Sequence, residues 1–342
     1  MKVGIIGLGR MGAPIARRLM LGNHDCVVYD IDESLVADLV ADGAEGATNL
    51  EALISSFEGD RTVLWVMLPA TRVQSVLEEL SSLLKPGDIV IDGGNTNWRD
   101  DLERAATLGA NNIHLLDVGT SGGIWGIERG FCLMVGGDPN PVGIVAPIFG
   151  TLSPGIDAVQ RTTGRDGEQT PEECGWLHCG PTGSGHFVKM VHNSIEYGMM
   201  GALAEGLALL AEASSPSNEV QNDAAATAPP LSNSFNFDFD IAAIAELWRR
   251  GSVINSWLLD LTSAAFVEDP VLSGYHSKVS DSGEGRWAAQ ASIELGLPMP
   301  VITAALHSRF ASQGSAELSG RILSALRYQF GGHRELMGPD PD

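Results

Sequence analysis

The segment GHFVKMVHNSIEYGMM, residues 185–200, places side chains capable of acid–base chemistry inside an otherwise apolar stretch. Counted from Lys189, polar residues follow at offsets of three, four, seven and eight, and these are His192, Asn193, Glu196 and Tyr197. In an α-helix such offsets return to one face, because each residue turns by about 100°. Most of the remaining residues are Phe, Val, Ile and Met, so the pattern predicts a helix whose polar stripe faces something polar inside the protein.

Lys189 and Glu196 are the candidate base and acid on this stripe. A lysine with its ordinary pKa near 10.4 is the wrong species for a base at neutral pH, but burial among apolar groups lowers a lysine's pKa. Glu196 lies two helical turns away, roughly 10 Å along the axis, so the two groups can address different carbons of an extended substrate. Each residue alone could be an ordinary surface or core group, but their occurrence on one stripe favours a functional site.

The composition limits the class of protein. A chain of 342 residues suggests two domains, and its formal net charge of −22 argues against nucleic-acid binding and against docking on anionic membranes. A local cluster of Arg and Lys could still bind an anionic small molecule. We expect a cytoplasmic protein without a signal peptide, because the N-terminus leads directly into a strand-like segment. The four cysteines lack the spacing of a zinc site, and no metal is expected.

Two regions of different periodicity predict two domains. In residues 1–180, short apolar runs alternate with helical patterns, which indicates a Rossmann-like, doubly wound α/β domain with a parallel sheet. In residues 181–342 helical periods predominate, so this part is predicted to be a mostly α-helical domain. The predicted helices cover 185–213, 241–267, 285–296, 299–313 and 316–329, and the aperiodic segment 214–238 is predicted to be an exposed loop.

The run KVGIIGLGRMG carries a G-x-G-x-x-G pattern between a predicted strand and a predicted helix. In such a loop the first glycine permits a tight turn, the second lets the backbone approach a pyrophosphate, and the third allows close helix–strand packing. The helix N-terminus then offers free N–H groups to the phosphates. This context favours a dinucleotide loop over a merely tight turn. The predicted cofactor contacts are Gly7, Leu8, Gly9, Arg10, Met11 and Gly12.

Asp30 ends the second predicted strand, where a carboxylate can accept hydrogen bonds from ribose hydroxyls and would repel the 2′-phosphate of NADP. The next residues, IDES, include no arginine that could receive a phosphate, so NAD is favoured over NADP, although Asp30 could also be a solvated strand-end carboxylate. Two further strand ends complete the predicted cofactor edge with Met67, Leu68, Pro69 and Asn95. Asn95 could equally serve as a helix cap.

The segment GTSGG, residues 119–123, follows another predicted strand. Its glycines would let backbone N–H groups approach an anion such as a carboxylate, and a plain flexible turn is the alternative.

Motifs along nearly the whole chain resemble the 6-phosphogluconate dehydrogenases, specifically the shorter, NAD-preferring type of this β-hydroxyacid dehydrogenase superfamily. They are GLGRMG, IDGGNTNWRD, GTSGGIWGIERGFCLMVGG, GPTGSGHFVKMVHNSIEYGMM, WRRGSVINSWLLDL, SDSGEGRW and RYQFGGH. The resemblance implies oxidative decarboxylation of 6-phospho-D-gluconate to ribulose 5-phosphate and CO2, with reduction of NAD.

By that likeness Lys189 is the general base and Glu196 the general acid. The implied substrate ligands are Asn95, Ser121, Gly122, Gly123, His192, Asn193 and Tyr197, with Arg309 at the phosphate. Arg327 and His333 match a pair that reaches the neighbouring subunit's site, which implies a homodimer or homotetramer with a shared active site.

Two features depart from the family pattern. Ser194 stands where a glycine is usual, and it adds only one hydroxymethyl group. SDSGEGRW is less basic than the glycine-rich turn of the longer NADP-dependent enzymes, which leaves a phosphate contact from that turn open.

Two other functions fit part of the pattern. Another β-hydroxyacid dehydrogenase, such as 3-hydroxyisobutyrate dehydrogenase, shares the glycine loop, the SGG segment and a helix lysine, but it gives no reason for the His–Asn–Glu–Tyr set. A non-enzymatic, NAD-responsive binding protein would keep the fold, but it gives no reason for the presence of both a base and an acid.

Overall fold

The computed structural model describes residues 1–214, 235 and 237–331. The chain forms two compact units, Met1–His192 and Asn193–Asp342, which divide within one long helix. The functional domain boundary at residue 180 stays a prediction. Most of the predicted loop at 214–238 lies outside the described residues, and so does His333.

An eight-stranded sheet forms the centre of the first unit. Its strands are β1 (Lys2–Ile6), β2 (Asp25–Tyr29), β3 (Glu45–Gly46), β4 (Val63–Val66), β5 (Ile89–Asp92), β6 (His114–Ser121), β7 (Cys132–Gly136) and β8 (Trp176–Gly180). They lie in the order β3-β2-β1-β4-β5-β6-β7-β8, and the pairs from β3 to β6 are all parallel. The order reverses between β1 and β4, which is the switch point where such sheets bind ligands. The predicted Rossmann-like fold is confirmed.

Strand β7 departs from the predicted parallel arrangement. It pairs antiparallel with β6, with Ser121 opposite Cys132. A parallel partner needs a crossover of a dozen or more residues, usually a helix, and the connection at 122–131 is shorter than that. Strand β8, which the apolar runs did not indicate, pairs parallel with β7.

Helices cover both faces of the sheet. They are α1 (Gly12–Leu21), α2 (Glu33–Ala41), α3 (Leu50–Ser55), α4 (Ala70–Leu83), α5 (Trp98–Gly109), α6 (Gly126–Arg129), α7 (Pro139–Leu152) and α8 (Pro171–Cys174). Successive strand residues enter different cores, so Trp65 and Ile91 lie in one apolar cluster and Leu64 and Val90 in the other. This double burial explains why the strands read as continuous apolar runs.

Helix α9 (Ser184–Ser214) contains the polar stripe and runs through the boundary of the two units. The described part of the second unit continues with α10 (Ile241–Arg249), α11 (Trp257–Glu268), α12 (Glu284–Glu294), α13 (Pro300–Phe310) and α14 (Glu317–Gly331). A small core of Leu207, Ala245, Leu259 and Phe266 holds α9, α10 and α11 together. Within the described ranges, none of the helices combines the length and apolar character of a membrane span.

The predicted helix at 241–267 is two helices. Gly251 adopts φ = 110°, which ends α10, and Ser256 caps the next helix by accepting a hydrogen bond from Leu259 N at 3.2 Å. The apolar period continues across this break, which explains why the sequence pattern alone suggested one helix.

Candidate active site

The glycine loop after β1 has the shape that a dinucleotide pyrophosphate requires. Gly7 adopts φ = 90°, and a Cβ on Gly12 would collide with the Gly7 carbonyl. A Cβ on Gly9, in contrast, would meet no protein atom within 4 Å. Packing therefore requires glycine at positions 7 and 12, whereas position 9 is open at the start of α1, where a phosphate binds in this fold. The glycine loop therefore fits the pyrophosphate of NAD.

Asp30 is fixed against the same loop. Its Oδ2 accepts a hydrogen bond from Leu8 N at 2.6 Å, and its Oδ1 accepts one from Asp32 N at 3.0 Å. Each carboxylate oxygen keeps a further lone pair that ribose hydroxyls could use. Leu8 has a buried side chain and faces the cofactor edge only through its backbone, while Arg10 is exposed and Met11 packs against the core.

The ends of β4 and β5 lie on the same carboxyl edge of the sheet. Met67 N donates to Ile6 O at 2.8 Å, and a Cβ on Gly7 would lie 2.8 Å from Leu68 Cδ2. Pro69 immediately precedes α4, and Asn95 is exposed just after β5. The first unit therefore brings the predicted cofactor residues to one edge.

The SGG segment closes the end of β6. Gly122 and Gly123 adopt φ values of 137° and 57°, which favour glycine. The Ser121 hydroxyl lies 3.4 Å from His192 Nε2. Two of the predicted substrate ligands, from a strand end and from α9, are thus in contact.

Lys189 packs directly over β6. A Cβ on Gly119 would lie 2.9 Å from Lys189 Cγ and closer still to Lys189 Cβ, so the glycine lets the lysine stem approach the strand. Lys189 is half-buried. Cys132, which pairs with Ser121 across β6 and β7, also lies near the Lys189 ammonium. Burial raises the pKa of the Cys132 thiol, and the positive charge of Lys189 partly opposes that rise. The spacing of the cysteines gives no indication of Cys132 beside Lys189 and Ser121, so sequence reasoning missed this contact.

A buried ionic cluster lies beneath these residues and was also missed. It contains Asp92, Asp101, Arg104, Asp117 and His186, each at most 5% exposed. One ligand atom each of Asp92, Asp101 and His186 lies within 4.8 Å of the others, but the Arg104 guanidinium is 3.4 Å from Asp92 and 3.8 Å from Asp101. The positively charged guanidinium of Arg104 therefore lies within this acidic cluster.

In the second unit, a different set surrounds Asn193 and Tyr197. The Asn193 amide donates to Glu284 Oε1 at 2.6 Å, and the Tyr197 hydroxyl lies 3.1 Å from Ser282 Oγ. Glu284 is 2% exposed and also accepts a hydrogen bond from Ser282 Oγ at 2.6 Å. The SDSGEGRW turn therefore contacts two predicted substrate ligands: Asn193 through the Glu284 carboxylate, which sequence reasoning did not assign, and Tyr197 through Ser282.

Arg309 lies over the Tyr197 ring, with Cζ 3.5 Å from the ring centroid, and donates to Ser280 O at 2.9 Å. Three of the predicted substrate ligands, Asn193, Tyr197 and Arg309, thus meet the 280–284 turn. Glu196 is half-buried on α9, and Arg327 is exposed on α14.

The sequence matches one enzyme family along most of its length. The family model for the NAD binding domain of 6-phosphogluconate dehydrogenase matches residues 2–161, and the model for the C-terminal domain of that enzyme matches residues 185–226. YqeC of Bacillus subtilis strain 168 is 40% identical over 97% of this chain and 98% of its own length. An NAD(+)-dependent, decarboxylating 6-phosphogluconate dehydrogenase of Haloferax volcanii is 36% identical over the same shares.

Solved structures share the fold. The 6-phosphogluconate dehydrogenase of Plasmodium falciparum has a TM-score of 0.72 at 21% identity, covering 100% of this chain and 67% of that one. A 3-hydroxyisobutyrate dehydrogenase of Salmonella typhimurium has a TM-score of 0.66 at 23% identity, covering 92% and 95%. The first unit contains an NAD-binding domain, and from the sequence matches the chain belongs to the 6-phosphogluconate dehydrogenase family.

Proposed function

We propose that this protein catalyses the oxidative decarboxylation of 6-phospho-D-gluconate to D-ribulose 5-phosphate and CO2, with NAD as the hydride acceptor. The observation that carries the proposal is the placement of Lys189 over Gly119, on the strand that ends in Ser121 at the carboxyl edge of the NAD-binding sheet. Ligands of α/β sheets bind at that edge.

Lys189 acts as the general base in this proposal. Its amine takes the proton of the substrate's 3-hydroxyl, which lets C3 release a hydride. NAD, when bound, supplies the acceptor for that hydride. The half-buried lysine stem lies against Gly119, two residues before Ser121, whose hydroxyl lies 3.4 Å from His192 Nε2 on α9.

Decarboxylation and reprotonation use Lys189 again, together with Glu196. The oxidised substrate is a β-keto acid, and the protonated Lys189 transfers its proton to the 3-keto oxygen while CO2 leaves, which gives an enediol. Glu196 then gives a proton to C1 of the enediol while the Lys189 amine takes the proton of the enediol hydroxyl, which leaves the ketone. A single positioned acid or base of this kind contributes about 10²- to 10⁴-fold to a rate.

The remaining predicted ligands have chemistry suited to a phosphorylated sugar acid. The amides of Gly122 and Gly123 suit the carboxylate, Asn95 and His192 suit hydroxyls, and the Arg309 guanidinium suits the phosphate. Glu284, which carries a carboxylate into the 280–284 turn, supplies a hydrogen-bond acceptor for Asn193 rather than a phosphate ligand.

The proposal is tested by following reduced cofactor and CO2 with 6-phosphogluconate, in parallel with NAD and NADP. We expect turnover with NAD, and loss of at least about a thousandfold in Lys189→Met with NAD binding retained. Lys85→Met is the matched control, because Lys85 donates to the Asp60 carbonyl far from the predicted site residues. Turnover of 3-hydroxyisobutyrate without phosphogluconate turnover would instead support the other β-hydroxyacid dehydrogenase activity. NAD binding without turnover of either substrate would support a binding protein.

We also propose that the protein works as a homodimer or homotetramer in which Arg327 serves the neighbouring subunit's site. The support is an apolar row on α14, where Leu318, Ile322 and Leu326 are 70%, 50% and 54% exposed. A second exposed row lies on α9, at Val188, Val191, Ile195 and Met199. Contiguous exposed apolar rows of this kind mark protein–protein contacts.

Subunit complementation tests this arrangement. Lys189→Met and Arg327→Ala are each expected to be nearly inactive, and a dimer that mixes them contains one site with both residues intact. After dissociation and random reassembly, about a quarter of the wild-type activity should return. If both residues serve the same subunit's site, the mixture stays as inactive as its components.

A further inference from the structure

The first turn of helix α9 is held by a buried carboxylate from another element. Asp117, in the middle of β6, is fully buried, and its two oxygens accept hydrogen bonds from Gly183 N at 2.7 Å and His186 N at 2.9 Å. The first N–H groups of a helix have no partner within the helix. Asp117, on β6, therefore caps the N-terminus of α9 and places a negative charge at the positive end of the helix dipole.

A second buried contact holds the same turn. His186 Nδ1 lies 2.7 Å from Asp101 Oδ2 on α5, and both side chains are at most 1% exposed. Burial lowers the pKa of His186, but the hydrogen bond and charge of Asp101, with Asp92 and Asp117 nearby, outweigh it and raise the pKa to about 9. The imidazolium and Arg104 thus balance part of the charge of three buried carboxylates.

The packing around this turn leaves no room for side chains. A Cβ on Gly185 would lie 2.7 Å from Gly136 N and closer to the carbonyl oxygens of Asp117 and Met134. One turn further along α9, Lys189 rests on Gly119, two residues beyond Asp117 on β6. The strand and the helix are therefore joined by hydrogen bonds at 183–186 and by direct contact at 189.

We propose that Asp117 and the Asp101–His186 pair are positioning residues that aim the Lys189 amine at the carboxyl edge of the sheet. The role of Lys189 as base rests on the proposed function, whereas the anchoring of its helix turn does not. Lys189 follows His186 by only three residues, about 4.5 Å of helix rise, so a shift or fraying of the first turn displaces it directly. Displacements of about 1 Å at a reacting group can lower a rate about 100-fold.

The test compares Asp117→Asn with Asp88→Asn. Asp88 is also a buried carboxylate, 1% exposed, and it accepts two backbone hydrogen bonds, from Thr62 N at 2.8 Å and Lys85 N at 2.9 Å. Each change keeps the side-chain shape and removes one acceptor. Only Asp117, however, is attached to α9. Asp101→Asn and His186→Asn test the second contact without altering the helix cap, and they decide the question if Asp117→Asn does not fold.

Three measurements are made on each folded variant: kcat and KM with 6-phosphogluconate and NAD, melting temperature, and the pH profile of Lys189 modification by an amine-reactive reagent. The chain has only four lysines, so peptide mass spectrometry can follow Lys189 with Lys2, Lys85 and Lys278 as internal references. The labelling needs no turnover, so it tests the anchor even if the proposed reaction is wrong.

We expect the α9 variants to lose about 10- to 100-fold in kcat with little change in the KM for NAD, and to show a shifted Lys189 labelling profile. Asp88→Asn should lose melting temperature but keep the wild-type kcat and labelling. The proposal is overturned if the α9 variants lose stability like Asp88→Asn while their Lys189 labelling matches the wild type. A shifted labelling profile without any phosphogluconate turnover in the wild type would support the anchor and reject the proposed reaction.

Discussion

Gly119→Ala tests the contact between the strand and the lysine stem. The added methyl would lie 2.9 Å from Lys189 Cγ and closer to Lys189 Cβ, whereas ordinary carbon contacts begin near 3.4 Å. The stem must therefore move by roughly 0.5 Å or more, and the amine at its end moves at least as far. Because about 1 Å of misplacement can lower a rate about 100-fold, we expect kcat to fall about 10- to 100-fold, which corresponds to about 1.4–2.7 kcal/mol in the activation free energy.

The assay is steady-state NADH formation from 6-phosphogluconate, with NAD affinity measured separately by fluorescence titration. NAD affinity should stay within about twofold of the wild type, because Gly119 lies on β6 rather than in the glycine loop. Gly143→Ala is the matched control, since a Cβ there meets no atom within 4 Å and alanine favours the helix. A Gly119→Ala enzyme with wild-type kcat would refute the reasoning that this glycine fixes the position of Lys189.

Three further perturbations have defined outcomes. Asp30→Ala should raise relative turnover with NADP, because the carboxylate that repels a 2′-phosphate is gone; an unchanged NADP/NAD ratio would contradict its ribose role. Gly9→Ala should weaken NAD binding at least about tenfold, because the methyl group stands where the backbone approaches the pyrophosphate. The melting temperature should stay constant, because the new Cβ meets no protein atom. The folded-state pKa of His186, about 9, lies above the ordinary 6.5, so its stabilisation is complete below pH 6.5 and is lost as pH rises through 9. Chemical denaturation should show a loss on the order of 3 kcal/mol over that window, and a flat profile in His186→Asn.

Much of the first unit could be predicted because strands buried on both faces leave continuous apolar runs in the sequence. The glycine loop and Asp30 were predictable for a different reason: their residues lie close together in the sequence, and their spacing alone indicates their roles. Strand β8 was missed because WLHCG is half-buried and carries His178 and Cys179. The direction of β7 depends on how the 122–131 connection folds, which no periodicity records.

The buried cluster could not be predicted, because its members are far apart in the chain. His186 and Asp101 are separated by 85 residues, and Asp117 stands inside a run that indicates an apolar strand. Only the assembled sheet shows that these groups meet under the first turn of α9. The contact of Asn193 with Glu284 spans 91 residues and was missed for the same reason.

The antiparallel pairing of β6 with β7 has an evolutionary consequence. Ser121 and Cys132 form the last pair of that ladder, so the sheet itself holds Ser121 in place. The ten intervening residues include Ile124 and Trp125, which are 59% and 44% exposed. These two side chains can therefore change without disturbing the strand register, whereas Gly122 and Gly123 keep their positive φ and Phe131 is fully buried. Substitution at positions 124 and 125 is thus a practical way to vary this connection while Ser121 stays in place.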